Sequence, residues 1–177
     1  MKKFYSFFLV LALAAWFSPA SLAAFVEFSP KVVYRDYEEA DSSVGAGVSV
    51  DVKEVFPAKE VVLTGGVEYI GTESHGVDGS IKTVSAGAGY DFNFDYVMVR
   101  PYGSIDFAFM DAEDGFDASN EVGFSLGVRG DYSVMEYIRI FAGVGYQWLD
   151  TNISYGAASA DLDLDNFNLQ SGLSISF

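Results

Sequence analysis

The single histidine of the chain, His75, stands beside Ser74, with Glu73 and Asp78 close in sequence. Serine, histidine and a carboxylate together can carry acyl transfer: the imidazole takes the hydroxyl proton and the acid orients the ring. That chemistry needs nucleophile and base held rigidly and aimed at each other. Chain neighbours such as Ser74 and His75, followed by Gly76, do not aim at each other. His75 therefore reads as a solvated loop histidine, and no catalytic residue is assigned. Asp161, Asp163 and Asp165 alternate like the first ligands of an EF-hand loop. That loop next needs glycine and, at its twelfth position, glutamate. Asn166 and Gly172 stand there instead. The three acids read as a solvated strand end, and no metal or cofactor site is expected.

A third set of charges is more informative. Lys31, Arg35, Arg100, Arg129 and Arg139 occupy the same alternate positions as Glu27, Asp51, Glu68, Asp91, Asp106, Glu121 and Asp131. The other parity of these segments is apolar. Val44, Ala46, Val48, Val50 and Val52 alternate with small polar residues and Asp51; Val122, Phe124, Leu126 and Val128 alternate with glycine, serine, Glu121 and Arg129. The same pattern runs from Thr83 to Phe92 and from Ile138 to Trp148. Strict alternation means β-strands with one apolar and one polar face. Val26–Tyr37, Val61–Gly71, Val97–Met110 and Asp165–Phe177 follow it less cleanly, for eight strands in total. Glycine, serine and charges of both signs suit a narrow polar interior, and an eight-stranded barrel has just room for its own side chains. Charges confined there must pair, because an unpaired buried charge costs several kcal/mol.

The N-terminus reads as a cleaved secretory signal peptide, residues 1–23, followed by one domain, residues 24–177. Lys2 and Lys3 form a basic start, Phe7 to Phe17 is apolar, and Ser21-Leu22-Ala23 offers a small-residue cleavage site. Loss of the two lysines takes the formal charge from -15 to -17. So acidic a chain argues against a nucleic-acid partner, which needs basic residues along one face. With no cysteine there is neither a lipid anchor nor a disulfide. Yet half of the residues are hydrophobic, a combination that makes sense when apolar and charged residues occupy different zones of a membrane protein.

Two further patterns favour lipid outside the barrel over a soluble barrel with an apolar interior. On the apolar parity, Tyr34, Tyr69, Phe107, Phe109, Tyr146, Trp148 and Phe167 fall at one set of strand ends, and Phe28, Tyr90, Phe92, Tyr132 and Phe177 at the other. These are two aromatic girdles. The connections alternate as well. Asn93–Tyr96, Ser133–Glu136 and Lys53–Glu60 read as turns, whereas Glu38–Ser42, Thr72–Ser80, Asp111–Ser119 and Asp150–Leu164 read as loops, most of them longer. Short turns on the periplasmic side and long loops outside are the outer-membrane pattern.

Arg100-Pro101-Tyr102-Gly103, Phe141-Ala142-Gly143-Val144-Gly145-Tyr146 and the final Leu173-Ser174-Ile175-Ser176-Phe177 resemble the OmpA/OmpX-type eight-stranded outer-membrane β-barrels. The resemblance spans the whole mature chain. It implies an all-β, antiparallel, up-and-down transmembrane barrel in the outer membrane of a Gram-negative bacterium. It also implies that the terminal strand ending in Phe177 is the signal read by the barrel-assembly machinery. No peptidoglycan-binding domain like that of larger members is expected, so the resemblance does not imply a wall-anchoring role.

The expected role is non-enzymatic: envelope structure or surface interaction by a monomer. Its lumen is shut by a charge network of Lys31, Arg35, Glu68, Arg100, Asp106, Glu121, Arg129, Asp131 and Arg139. Outer-membrane lipid and lipopolysaccharide are the expected surroundings; the alternative to a solvated strand end is that Asp161, Asp163 and Asp165 meet lipid phosphates through divalent cations. The alternatives are a narrow porin-like channel for ions or small solutes and, from another class, a lipid A-modifying enzyme. Deleting Phe177, or replacing it with Asp, should leave unfolded chain in the periplasm; normal outer-membrane yield of either variant would remove the terminal signal.

Overall fold

The computed structural model describes residues 25–38, 41–74, 77–112, 117–118, 120–155 and 158–177. The expected signal peptide, His75, Gly76, Glu113 and Asp114 lie outside the described residues. The strands are β1 (Phe25–Tyr37), β2 (Ser43–Lys53), β3 (Val61–Ser74), β4 (Val77–Tyr90), β5 (Phe92–Phe94), β6 (Val97–Ala112), β7 (Asp117–Ala118), β8 (Glu121–Met135), β9 (Ile138–Trp148), β10 (Asp150–Tyr155), β11 (Ala158–Asp163) and β12 (Asn166–Ser176).

Eight of them make the wall. Each pairs antiparallel with its neighbour in the order β4-β3-β2-β1-β12-β9-β8-β6, and β4 pairs with β6 to close the ring. The first and last wall strands meet along β1 and β12, from Glu27 opposite Ser176 to Tyr37 opposite Asn166. The Phe177 amide donates to the Val26 carbonyl at 3.0 Å. Closure leaves no unpaired edge in the wall, the one condition under which strands can cross hydrocarbon.

The two parities separate as physical chemistry demands. Outward-facing Val44, Val122, Leu126, Ile105 and Tyr69 are each more than half exposed. Glu27, Arg35, Asp51, Arg100, Asp106, Arg129 and Asp131 are buried inside. A soluble barrel would invert this arrangement. Both expected girdles face outward: Tyr34, Tyr69, Phe107, Phe109 and Phe167 at the loop end, and Phe28, Tyr90, Phe92, Tyr132 and Phe177 at the end that carries the termini, are exposed. Tyr146 and Trp148 share that face and pack their rings 4.8 Å apart.

The connections correct the sequence reading. Pairing runs further than alternation does. The β3–β4 hairpin continues to Ser74 opposite Val77. The stretch 150–164, expected as a loop, is largely a hairpin, β10 against β11, with β7 added at the other edge of β10. Beyond the lipid both faces of a strand are wet, so nothing forces apolar and polar residues to alternate there. The hydrogen-bonded ladder persists where the sequence signal stops. At the opposite end β5 extends β4 and leaves a turn at Asp95, whose φ is 46°. Strand β8 reaches Met135 through a register shift between Ser133 and Met135.

Glycine is demanded where Tyr102 crosses the lumen wall. Gly127 and Gly145 are partners across β8 and β9. A Cβ on Gly127 would fall 2.5 Å from the Tyr102 hydroxyl, and one on Gly145 3.0 Å from it. Gly127→Ala should therefore cost about 1–3 kcal/mol through overpacking. Gly130→Ala, whose Cβ would meet only the Ala142 carbonyl at 3.9 Å, should be near neutral. Urea unfolding in lipid vesicles compares the two; equal losses would dismiss the tyrosine seat.

Candidate functional site

The inward side chains form two charge clusters stacked along the barrel. The one nearer the termini is built from β1, β2, β6, β8, β9 and the residue after β4. Arg100 reaches three carboxylates: Asp51 at 2.5 Å, Asp91 at 2.5 Å and Glu27 at 3.6 Å. Arg129 holds Asp131 at 2.6 Å and Asp51 at 3.3 Å, donates to Ser174, and lies 3.8 Å above the Phe141 ring. Arg139 meets Glu27 at 3.0 Å. Lys53 bridges Glu27 and Asp91, the latter at 3.0 Å.

The cluster nearer the loops centres on Glu68 of β3, which Lys31 binds at 2.5 Å and Arg35 also binds. Arg35 donates to Gln147 as well, and Gln147 donates to Asp106 at 2.6 Å. Asp106 further accepts from Ser104 at 2.9 Å and from Ser125. Between the clusters lies a cavity of ≈ 70 Å³ bordered by Arg35, Thr64, Thr83, Tyr102 and Ser104. It is polar and large enough for a few waters.

Alternation explains why these residues converge. Each wall strand presents every second side chain to the same bore, so residues distant in sequence become neighbours across it. Arg129 and Asp51, 78 positions apart, are an example. In so narrow a space an ion pair has value only when both partners are held. Removing one leaves a buried charge and costs about 3–5 kcal/mol, whereas replacing both with apolar residues is often neutral.

The structure brings together Lys31, Arg35 and Glu68 in one cluster and Arg100, Arg129, Asp131 and Arg139 in the other. Asp106 joins through hydroxyl and amide groups. Glu121 sits at the loop end of β8, in register with Ala108. Sequence reasoning missed Lys53, assigned to a turn, although it stands two positions after Asp51 on the inward parity. With Lys53 the clusters hold six cations (Lys31, Arg35, Lys53, Arg100, Arg129, Arg139) and six carboxylates (Glu27, Asp51, Glu68, Asp91, Asp106, Asp131). Also missed was the apolar character of the loop end of the bore, where Tyr37, Ile81, Ala108, Leu149 and Leu164 are buried together.

Comparison with known proteins agrees with this architecture. A family model described as the outer membrane protein beta-barrel domain matches residues 8–177. No curated protein sequence matches the chain. Among solved structures, OprG from Pseudomonas aeruginosa is similar at 12% identity and a TM-score of 0.67, over 88% of this chain and 96% of that one. Neisserial surface protein A is similar at 13% identity and 0.64, over 87% and 97%. A major outer membrane protein from Thermus thermophilus is similar at 16% identity and 0.62, over 86% and 99%. Likeness at these identities concerns the fold.

Arg129→Ala should lower stability by about 3–5 kcal/mol, because Asp131 loses its bidentate partner. Arg129→Met combined with Asp131→Leu should recover most of that loss. Urea titrations followed by the gel mobility of the folded form read both, and an unchanged midpoint for Arg129→Ala would remove the buried pairs as a source of stability.

Proposed function

Because the chain belongs to the outer membrane protein beta-barrel domain family, we propose that it is a monomeric, non-enzymatic barrel of a Gram-negative outer membrane. Its role is envelope structure or surface interaction, and its lumen is shut by its own side chains. The observation that carries this reading is the pairing of the lumen charges. Arg35, Arg100 and Arg129 are buried and each binds at least one carboxylate. A conducting pore needs groups that bind an ion weakly enough to release it. Carboxylates and guanidinium groups engaged with one another across the bore offer no such sites.

On this reading the terminal strand and Phe177, which is exposed at the end of the wall, serve assembly. A rigid wall with long connections at one end is also the usual support for surface contacts, since loops carry recognition on fixed scaffolds.

A second reading, a narrow ion path, draws on the cavity between the two clusters. Planar-bilayer recording of refolded protein separates the two. The closed reading expects a silent wild type, with cation leakage appearing in Arg129→Ala. Frequent, discrete, cation-preferring openings in the wild type would replace it with the channel.

A further inference from the structure

The loop end of the bore is closed by apolar groups instead of charges. Tyr37 of β1, Ile81 of β4, Ala108 of β6, Leu149 and Leu164 form one buried cluster across the opening, with Met110 packed against it. Leu149 and Leu164 differ from the others in belonging to no wall strand. Leu149 joins β9 to β10, and Leu164 follows β11. The Leu164 amide donates to the Leu149 carbonyl at 2.9 Å. The next rung is Asp150 opposite Asp163, the start of the β10–β11 ladder. The two leucines are thus the lowest rung of a hairpin that stands outside the barrel while its foot fills the mouth.

One residue, Asp165, holds that foot in place. Asp165 accepts from the Leu149 amide through Oδ1 at 2.7 Å. Its own amide donates to Asp163 Oδ1 at 2.9 Å. Its carbonyl accepts from the Glu38 amide at 3.0 Å. Its Oδ2 is 3.4 Å from the Tyr146 hydroxyl, which donates to Glu38 Oε1 at 2.8 Å. Asp165 therefore ties the hairpin foot to the end of β1 and to β9. Directly beneath lies polar, hydratable space: Thr83 is in register with Ala108 of the apolar cluster, and it borders the cavity.

We propose that the Leu149–Leu164 rung is a hydrophobic seal, latched by Asp165, and that the β10–β11 hairpin is the element that moves it. A narrow apolar constriction excludes water by dewetting and admits it when widened. Because the leucines are paired on one rung, displacing the hairpin withdraws both at once. A contact made on the outer surface would then be felt in the lumen. This inference rests on the closed-lumen reading, and its test keeps the two apart.

The chain has no cysteine, so a single thiol reports on the space below the seal. Thr83→Cys, folded in lipid vesicles, is treated with a cationic, membrane-impermeant methanethiosulfonate. The folded fraction is read in parallel by gel mobility. The thiol should react slowly in the otherwise unchanged protein. Reaction should be at least about tenfold faster when Asp165→Ala, or the milder Leu149→Ala, is added. Asp165→Asn, which keeps an oxygen for the Leu149 amide, should stay slow. Equal rates in all four folded proteins, slow throughout, overturn the seal and leave the closed lumen standing. Fast reaction with Thr83→Cys alone overturns the closed lumen and the seal with it.

Discussion

A charge inside a bore too narrow for bulk water must meet its counter-charge there. The wall of this protein is organised around that constraint. Eight strands turn every second residue inward, and the ones they turn inward include arginines, lysines and carboxylates. No single pair satisfies the requirement. Arg100 serves Glu27, Asp51 and Asp91, and Asp51 in turn also serves Arg129. Pairs such as Lys31–Glu68, Arg100–Asp51, Arg129–Asp51 and Arg139–Glu27 join residues of six wall strands, β1, β2, β3, β6, β8 and β9, and so tie the wall together across the bore. Glu27 of β1 opposite Arg139 of β9, bridged over β12, is an ion pair that only the closed ring provides.

The outer surface obeys the complementary constraint. Lipid offers no hydrogen bonds, so the outward parity is dominated by valine, leucine, isoleucine, alanine and aromatics, and the backbone groups are consumed by the ladder. The glycines reconcile the two faces. Where Tyr102 lies over Gly127 and Gly145, a large side chain takes the space that two Cβ atoms would need. Bulk is thereby moved from the wall into the bore, while Gln170 donates to the Tyr102 hydroxyl at 2.9 Å. The lumen is filled in layers along its axis: charged in the lower and middle ones, apolar at the loop end.

That layering limits what the molecule offers to its surroundings. The paired layer resists rearrangement, because separating any pair exposes two buried charges. The apolar layer is held by packing and by the few hydrogen bonds around Asp165, so it is the softer part. Motion at the loop end can therefore occur without disturbing the wall.

The alternation of Val122, Phe124, Leu126 and Val128 with Gly123, Ser125, Gly127 and Arg129 is a local property, and it was enough to establish strands, their number, the inward set and the lipid-facing set. Both girdles and the inward direction of Arg35, Arg100, Arg129 and Arg139 were legible for the same reason: side-chain direction in a strand follows from parity alone. Partnership was not legible. Whether Asp51 meets Arg100, and whether Lys53 ends a strand or opens a turn, depends on the stagger between strands and the width of the closed ring. The β10–β11 hairpin was hidden because nothing forces a strand beyond the lipid to alternate along its whole length. The apolar mouth was hidden because Leu149 and Leu164 lie in the stretch between the last two wall strands, and only the closed ring brings them to Tyr37, Ile81 and Ala108. By itself the sequence determined which side of the wall each residue faces, since that needs only its neighbours. The tertiary structure decided which residues touch, since that needs the ring to close.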